Sequence, residues 1–195
     1  LTLLAFCATS SQMAYLTNIS GYIADKGLGD AATAGAATAF NTMARFIVGI
    51  ALGFLLRVFK KYTLPFGYFL NATGYVIILN ANSMVAVQVG GIIFGFGLGI
   101  QMAAGMYYMT EAVSKEMLSQ AFGLYMPFVS FAVSMAPAII NTLSKVVFGS
   151  TTATNNFKIG LVGYLFTAIA MSIYEAVFCK NSMIGKLSGL EGQSK

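Results

Sequence analysis

The chain of 195 residues contains no histidine and no tryptophan, and only six of its residues are acidic. Its two cysteines, Cys7 and Cys179, lie at opposite ends, without the close spacing of a metal site or a disulfide framework. Because metal centres and acid–base catalysis rely on histidine, cysteine and clustered carboxylates, the chain has few side chains for either. We therefore predict no metal site and no cofactor, and we predict that the protein is not an enzyme.

Charge is also scarce. Charged residues make up 9% of the chain, whereas soluble domains contain about 25%. Hydrophobic residues make up 57%, and the mean hydropathy is +0.77. These values indicate an all-α, multi-pass integral membrane protein in contact with the lipid bilayer. The net charge of +5 comes from basic residues dispersed among short loops, so we predict no nucleic-acid partner.

Six apolar runs follow one another, each near the 17–25 residues that a membrane-crossing helix needs. They cover about 1–23, 31–56, 63–79, 84–109, 121–143 and 157–178. The pattern predicts six transmembrane helices forming one bundle over residues 1–178, with a polar cytoplasmic tail at 179–195. The first run has no initiator Met and no basic region typical of a signal peptide, so we expect the chain to begin within a longer protein.

The distribution of basic residues predicts the orientation of these helices. In a six-span arrangement one side collects Arg57, Lys60, Lys61, Lys115, Lys180, Lys186 and Lys195. The other side collects Lys26, Lys145 and Lys158. Since the side richer in Lys and Arg faces the cytoplasm, the loop with Arg57, Lys60 and Lys61 and both chain ends are predicted to be cytoplasmic. We expect the membrane to be the plasma (inner) membrane.

Arg45 is the most informative residue, because it lies within the apolar run 31–56. An arginine at that depth costs roughly 2.5–3.5 kcal/mol in membrane insertion, so it is expected to face protein or water rather than lipid. Thr38, Asn41 and Arg45 fall on one helix face. Arg45 either bonds neighbouring helices as a structural residue or faces a solute, and no acidic residue of the chain lies at its depth.

Two further runs carry polar stripes. In the first run Ser11, Tyr15, Asn18 and Tyr22 recur at helical spacing, and in the fourth Gln101 and Tyr108 share a face. Such stripes are too polar to face lipid. They either line a solute cavity or form hydrogen bonds between helices.

Glycines and prolines mark positions of close packing and bending. Gly49 and Gly53 form a GxxxG pair, and Gly91, Gly95 and Gly99 repeat at four-residue spacing, which lets helix backbones approach closely. Pro127 and Pro137 interrupt the hydrogen-bond ladder of the fifth run, where we expect kinks and a gating role. Glu175, near the end of the sixth run, is either an interfacial anchor or a coupling residue.

The segment Gly53-Phe54-Leu55-Leu56-Arg57-Val58-Phe59-Lys60-Lys61, the Ala136-Pro137 pair after a serine-rich face, and six spans together resemble the C-terminal half of a major facilitator superfamily transporter. The acidic position of that family's basic loop signature is occupied by Arg57 or missing here. The resemblance implies a bundle of two three-helix inverted repeats and a second six-helix half, either a covalent N-terminal half or a dimer mate. It also implies that the first and fourth spans line the cavity, the second and fifth meet the other half, and the third and sixth face lipid.

Phe40-Asn41 followed by Arg45 and Gly49 resembles the corresponding helix of oxalate/formate antiporters and monocarboxylate carriers. That resemblance implies that Arg45 receives a substrate carboxylate. A guanidinium is independently suited to bidentate recognition of carboxylate or phosphate.

The sequence therefore predicts a secondary transporter, or half of one, that moves a small solute by alternating access, with an organic anion as one candidate. The predicted substrate-binding residues are Arg45, Asn41, Ser11, Tyr15, Asn18, Gln101 and Tyr108. The alternative is a non-transporting membrane receptor or assembly subunit on the same scaffold.

Overall fold

The computed structural model describes residues 2–177, apart from the side chains of residues 2, 111, 112 and 115. This part is all-α and contains no strand. Its helices are α1 (Thr2–Asp25), α2 (Ala31–Phe59), α3 (Thr63–Leu79), α4 (Met84–Ala112), α5 (Leu118–Phe148) and α6 (Ala153–Val177). The predicted tail at 179–195 lies outside the described residues.

The prediction of six transmembrane helices is wrong. A 3-10 turn at Lys60–Tyr62 joins α2 to α3 without a break, so Ala31–Leu79 is one helical run of 49 residues. The described residues therefore form five continuous helices. Four of them, namely this run, α4, α5 and α6, are long and apolar enough to cross a membrane. The predicted six-span bundle of two three-helix repeats is overturned with that count.

The first helix fails as a span because of its composition. α1 has 24 residues, which is long enough, but its centre contains four consecutive polar residues. These are Thr9, Ser10, Ser11 and Gln12, and all four are buried against other parts of the protein. α1 is thus a polar helix that packs within the bundle, against α5 and α6.

α4 is the central helix, with α2 packed on one side and α3 on another. On the side of α2, a Cβ atom at Gly95 would collide with the carbonyl oxygen of Asn41 and would lie 2.9 Å from the Cβ of Ala44. A Cβ at Gly99 would lie 2.8 Å from the Cβ of Val48. Glycine at these two positions allows the backbones of α2 and α4 to approach closely.

Aromatic side chains fill the space between α1, α3, α4 and α6. Phe94 packs against Tyr15 and Tyr75, with ring centroids 4.5 and 4.9 Å apart. The Tyr75 hydroxyl donates a hydrogen bond of 2.6 Å to the carbonyl of Ser11, which joins α3 to α1. These contacts bury one face of α3 and one face of α6, whereas Val76 on α3 and Val162 and Phe166 on α6 are exposed. The lipid-facing position that the resemblance implied for the third and sixth spans stays a prediction.

The largest exposed apolar faces belong to α2 and α5. Phe46, Ile50 and Phe54 on α2 are each more than two-thirds exposed. Gly49 and Gly53 lie on this side, and no described atom would come within 4 Å of a Cβ at either one. Close packing through this GxxxG pair therefore stays a prediction, and it needs a packing partner other than the described residues.

α5 continues from Leu118 to Phe148 through both Pro127 and Pro137. Proline lacks a backbone N–H, so each one removes a hydrogen bond from the ladder of this helix. Ser130 and Ser134 on the same helix are exposed, and the Ser134 hydroxyl donates to the carbonyl of Ser130. The gating role of the two prolines stays a prediction.

The predicted cytoplasmic loop at Arg57, Lys60 and Lys61 is a tight helical junction. Lys60 has φ +49°, in the left-handed region of backbone conformation. This region is energetically unfavourable for any residue other than glycine. The carbonyl oxygen of Lys60 accepts hydrogen bonds from the hydroxyls of Thr63 (2.7 Å) and Tyr108 (3.0 Å). These bonds hold the backbone at Lys60, where α2 ends and the 3-10 turn that leads into α3 begins.

Asp30 caps the start of α2, and its pH dependence is testable. Its carboxylate accepts a hydrogen bond of 2.9 Å from the backbone N–H of Thr33, which lowers the pKa of Asp30 below its ordinary value of 3.8. A carboxyl with a lowered pKa in the folded state stabilises the protein above its unfolded pKa, and this contribution is lost as the pH falls below about 3.8.

We therefore expect acidification from pH 7 to pH 3 to lower the thermal midpoint of the native protein more than that of Asp30→Asn. Asparagine keeps an acceptor oxygen at the cap but has no proton to gain. Thermal unfolding of the detergent-solubilised proteins across this pH range checks the difference. Parallel curves for both proteins contradict the assigned role of the cap.

Candidate functional site

Arg45 is held by a polar contact that crosses from α2 to α4. The side chain of Asn41 is fully buried, and its Nδ2 donates a hydrogen bond of 2.8 Å to the carbonyl oxygen of Gly91. Its Oδ1 accepts hydrogen bonds from Nε of Arg45, at 2.9 Å, and from Nη2. Asn41 lies one helical turn before Arg45 on α2. It therefore links the guanidinium to the backbone of α4.

The guanidinium lies within electrostatic range of two tyrosine hydroxyls, those of Tyr15 on α1 and Tyr164 on α6. Both tyrosines are fully buried. The Tyr15 hydroxyl has no hydrogen-bond partner among the described residues, and a Cβ at Gly91 would lie 3.0 Å from it. A buried hydroxyl without a partner is costly, so this position favours a further polar group.

Tyr164 extends the polar group toward α3. Oε1 of Gln101 on α4 accepts hydrogen bonds from the Tyr164 hydroxyl at 3.1 Å and from Nδ2 of Asn71 at 3.2 Å. Asn71 is fully buried, and its own Oδ1 has no hydrogen-bond partner in the described part of the chain. Gln101 is thus an acceptor shared by two buried donors from two other helices.

Arg45 forms no ion pair with a described carboxylate. A guanidinium carries five N–H donors, and Asn41 accepts from two of its nitrogens. Donors therefore remain for an anionic group from outside the described residues. Among those residues no group of three or more His, Cys, Asp or Glu side chains is arranged to hold a metal ion.

The structure brings together four of the seven predicted substrate-binding residues. Asn41 bonds the Arg45 guanidinium, and the hydroxyls of Tyr15 and Tyr164 lie within its electrostatic range. Gln101 joins this group through its hydrogen bond with Tyr164. We call these five residues the arginine site.

The other three predicted residues lie elsewhere. The Ser11 hydroxyl donates to the carbonyl of Cys7 within α1. Tyr108 bonds the carbonyl of Lys60, and Lys60 is 15 residues beyond Arg45, roughly 22 Å along α2 at helical rise. Neither is a neighbour of Arg45.

Asn18 belongs to a separate cluster near the opposite ends of the helices. Nδ2 of Asn156 on α6 donates hydrogen bonds of 2.9 Å to the Oδ1 atoms of both Asn18 on α1 and Asn141 on α5. Asn156 is buried, and its own Oδ1 has no partner among the described residues. This cluster joins α1, α5 and α6, which assigns Asn18 a contact between helices.

Sequence reasoning missed Tyr164 and Asn156, because both lie on the helix that the resemblance placed against lipid. One signal was available. Asn156, Tyr164, Thr167 and Glu175 place polar atoms on α6 at spacings close to whole helical turns, and all four are buried. Glu175 is fully buried, whereas an interfacial anchor would be partly exposed.

No protein-family model, curated protein or solved structure matches this chain. The arginine site is therefore interpreted from its own chemistry.

Proposed function

We propose that this protein is a solute transporter, or one half of one, and that the arginine site binds an anionic group of its solute. The observation that supports this most directly is Arg45, a cation between apolar helices with no ion pair among the described residues. Charged side chains inside membranes are rare and mark solute or ion pathways more often than lipid-facing surfaces. An organic carboxylate or a phosphate suits the planar guanidinium.

The tyrosine hydroxyls add a reason to favour a hydrogen-bonding anion. Tyr15 offers a hydroxyl that lacks a partner among the described residues, close to the guanidinium. A carboxylate has two oxygens with about four acceptor positions, so it can accept from both groups at once.

Transport by alternating access requires a second body against which this one moves. The exposed α2 and α5 faces, where Ser130 and Ser134 add polar atoms, are the surfaces that we propose for such a partner. That partner is either a second helical half of a longer chain or a dimer mate. The basic residues Arg57, Lys60 and Lys61 at the junction of α2 and α3 support a cytoplasmic position for that junction, with the protein in the plasma (inner) membrane.

The test is a panel of small carboxylates and phosphates in a thermal-shift assay on the detergent-solubilised protein. We expect at least one anion to stabilise the native protein, by about 2.7 kcal/mol at one hundred times its Kd. The Arg45→Gln variant should lose this response. Arg57→Gln is the matched control, because Arg57 lies on the same helix but is exposed, and this variant should keep the response.

The proposal fails if no anion shifts the midpoint of the native protein, or if the two variants lose the response equally. If an anion does stabilise the native protein, its uptake into liposomes distinguishes a transporter from a receptor or assembly subunit. Accumulation that Arg45→Gln abolishes identifies a transporter, and binding without uptake identifies a receptor or assembly subunit.

A further inference from the structure

A cleft of about 400 Å³ lies between α1, α5 and α6, apart from the arginine site. Its walls are almost entirely apolar, with Phe6 from α1, Ile140 and Leu143 from α5, and Val162 and Phe166 from α6. Two serines also contribute to the wall, and the hydroxyl of one of them, Ser11, is already bonded to its own helix. The volume is within the range of about 300–1,000 Å³ that is typical of small-molecule pockets.

The cleft opens sideways, toward the outer surface of the helices. Val162 is 63% exposed and Phe166 is 59% exposed, although both form part of its wall. Leu143 on the α5 side is 44% exposed. Because α5 and α6 are both long and apolar enough to cross a membrane, we expect this opening to face the hydrocarbon of a bilayer.

A lysine lies next to the lining residue Ile159, outside the cleft wall itself. Lys158 is one helical turn from Val162 toward the start of α6, on the same face of that helix. Its Nζ lies 5.2 Å from the ring centroid of Phe148, at the end of α5, so the side chain spans the gap between the two helices. Lysine stems lie on apolar surface while the ammonium group remains at the membrane–water interface. No described carboxylate pairs with this ammonium group.

We infer that this cleft binds one anionic phospholipid, with an acyl chain between α5 and α6 and the phosphate against Lys158. The apolar wall matches the chain, the side opening matches entry from the bilayer, and the ammonium group complements the phosphate. The inference does not depend on the arginine site or on transport.

The test is a lipid titration followed by native mass spectrometry of the detergent-solubilised protein, with phosphatidylglycerol and phosphatidylcholine as the two lipids. We expect one phosphatidylglycerol per chain to bind more tightly than phosphatidylcholine. Lys158→Gln should weaken phosphatidylglycerol about fivefold, the factor that corresponds to about 1 kcal/mol for one basic residue at an anionic lipid surface. Lys26→Gln is the matched control, because Lys26 is an exposed lysine that stacks on Tyr22 of α1.

A second pair of variants tests the acyl chain. Val162→Trp places a large side chain at the mouth of the cleft and should abolish the bound lipid. Ile169→Trp, at an exposed position of α6 that does not line the cleft, should leave it unchanged. Both positions are on the surface, so both variants are expected to fold.

Four results would overturn the inference. The first is equal affinity for the two lipids. The second is a bound lipid that survives in Val162→Trp. The third is binding of inorganic phosphate alone as tightly as phosphatidylglycerol, which would identify an anion site that does not hold an acyl chain. The fourth is a dimer peak that Val162→Trp removes, which would assign the cleft to a second copy instead.

Discussion

Replacing Gly95 by leucine is expected to separate α2 from α4 and to destabilise the protein. Even a Cβ at this position would collide with the Asn41 carbonyl, and it would lie 3.0 Å from Nδ2 of that residue. A backbone atom cannot rotate away as a flexible side chain can, so the helices have to move apart. Overpacking of this kind costs typically about 1–3 kcal/mol, and leucine adds three more carbons than a methyl group.

The same change is expected to affect the arginine site. Asn41 orients Arg45 and is itself held by its bond to Gly91, so a displaced α2 carries the guanidinium away from α4. We therefore expect Gly95→Leu to lower the thermal midpoint and also to reduce the response to a bound anion. Thermal unfolding with and without the best anion of the panel measures both effects.

Gly105→Leu is the matched control, because Gly105 lies on the same helix and no described atom would come within 4 Å of its Cβ. It is expected to change neither quantity appreciably. Alanine at the two positions gives a graded version of the comparison in case the leucine variant at position 95 does not fold. Equal midpoints for Gly95→Ala and Gly105→Ala would contradict the close approach of α2 and α4.

Replacing Gln101 by leucine is the second change with a large expected effect. Leucine has no acceptor, so the Tyr164 hydroxyl and Nδ2 of Asn71 both lose the bonds described above. Both residues are fully buried, so bulk water cannot replace the lost hydrogen bonds. A buried polar group left without a partner costs roughly 1–3 kcal/mol, and this variant leaves two of them.

A double-mutant cycle makes the test specific. Adding Tyr164→Phe to Gln101→Leu removes one of the two unpaired donors, so the double variant should be more stable than the sum of the two single changes predicts. Gln88→Leu on the same helix is the control, since Gln88 makes no side-chain hydrogen bond to the described residues. Thermal or denaturant unfolding supplies the free energies. Strictly additive effects would show that Gln101 and Tyr164 are not coupled.

The helical segments could be predicted from apolar runs, although their number as membrane spans could not. The run predicted at 84–109 corresponds to α4 at Met84–Ala112, and the run at 121–143 lies within α5 at Leu118–Phe148. One error arose at α1, whose polar centre was counted within a span. The other arose at Lys60 and Lys61, where adjacent basic residues indicated a loop. The backbone there adopts a left-handed φ at Lys60 and continues as a helix, a feature that no pattern of hydrophobicity encodes.

The arginine site could be predicted only within single helices. Asn41 and Arg45 are four residues apart, so helical geometry alone brings them together. Tyr164 approaches from a helix more than one hundred residues later, and its position depends on how α6 is rotated about its axis. That rotation is determined by the packing of Tyr75, Phe94 and Phe157 between helices, which one sequence does not reveal.

The placement of α1 has a consequence for how the protein is made. α2, α3 and α4 follow one another along the chain and pack together, so their contacts can form as soon as α4 has been synthesised. α1 precedes these three helices along the chain, yet it packs mainly against α5 and α6, which follow them. α1, the least apolar of the described helices, is therefore synthesised well before the two helices against which it packs. We expect chaperones and quality-control proteases of the membrane to act on α1 during this interval, before α5 and α6 cover it.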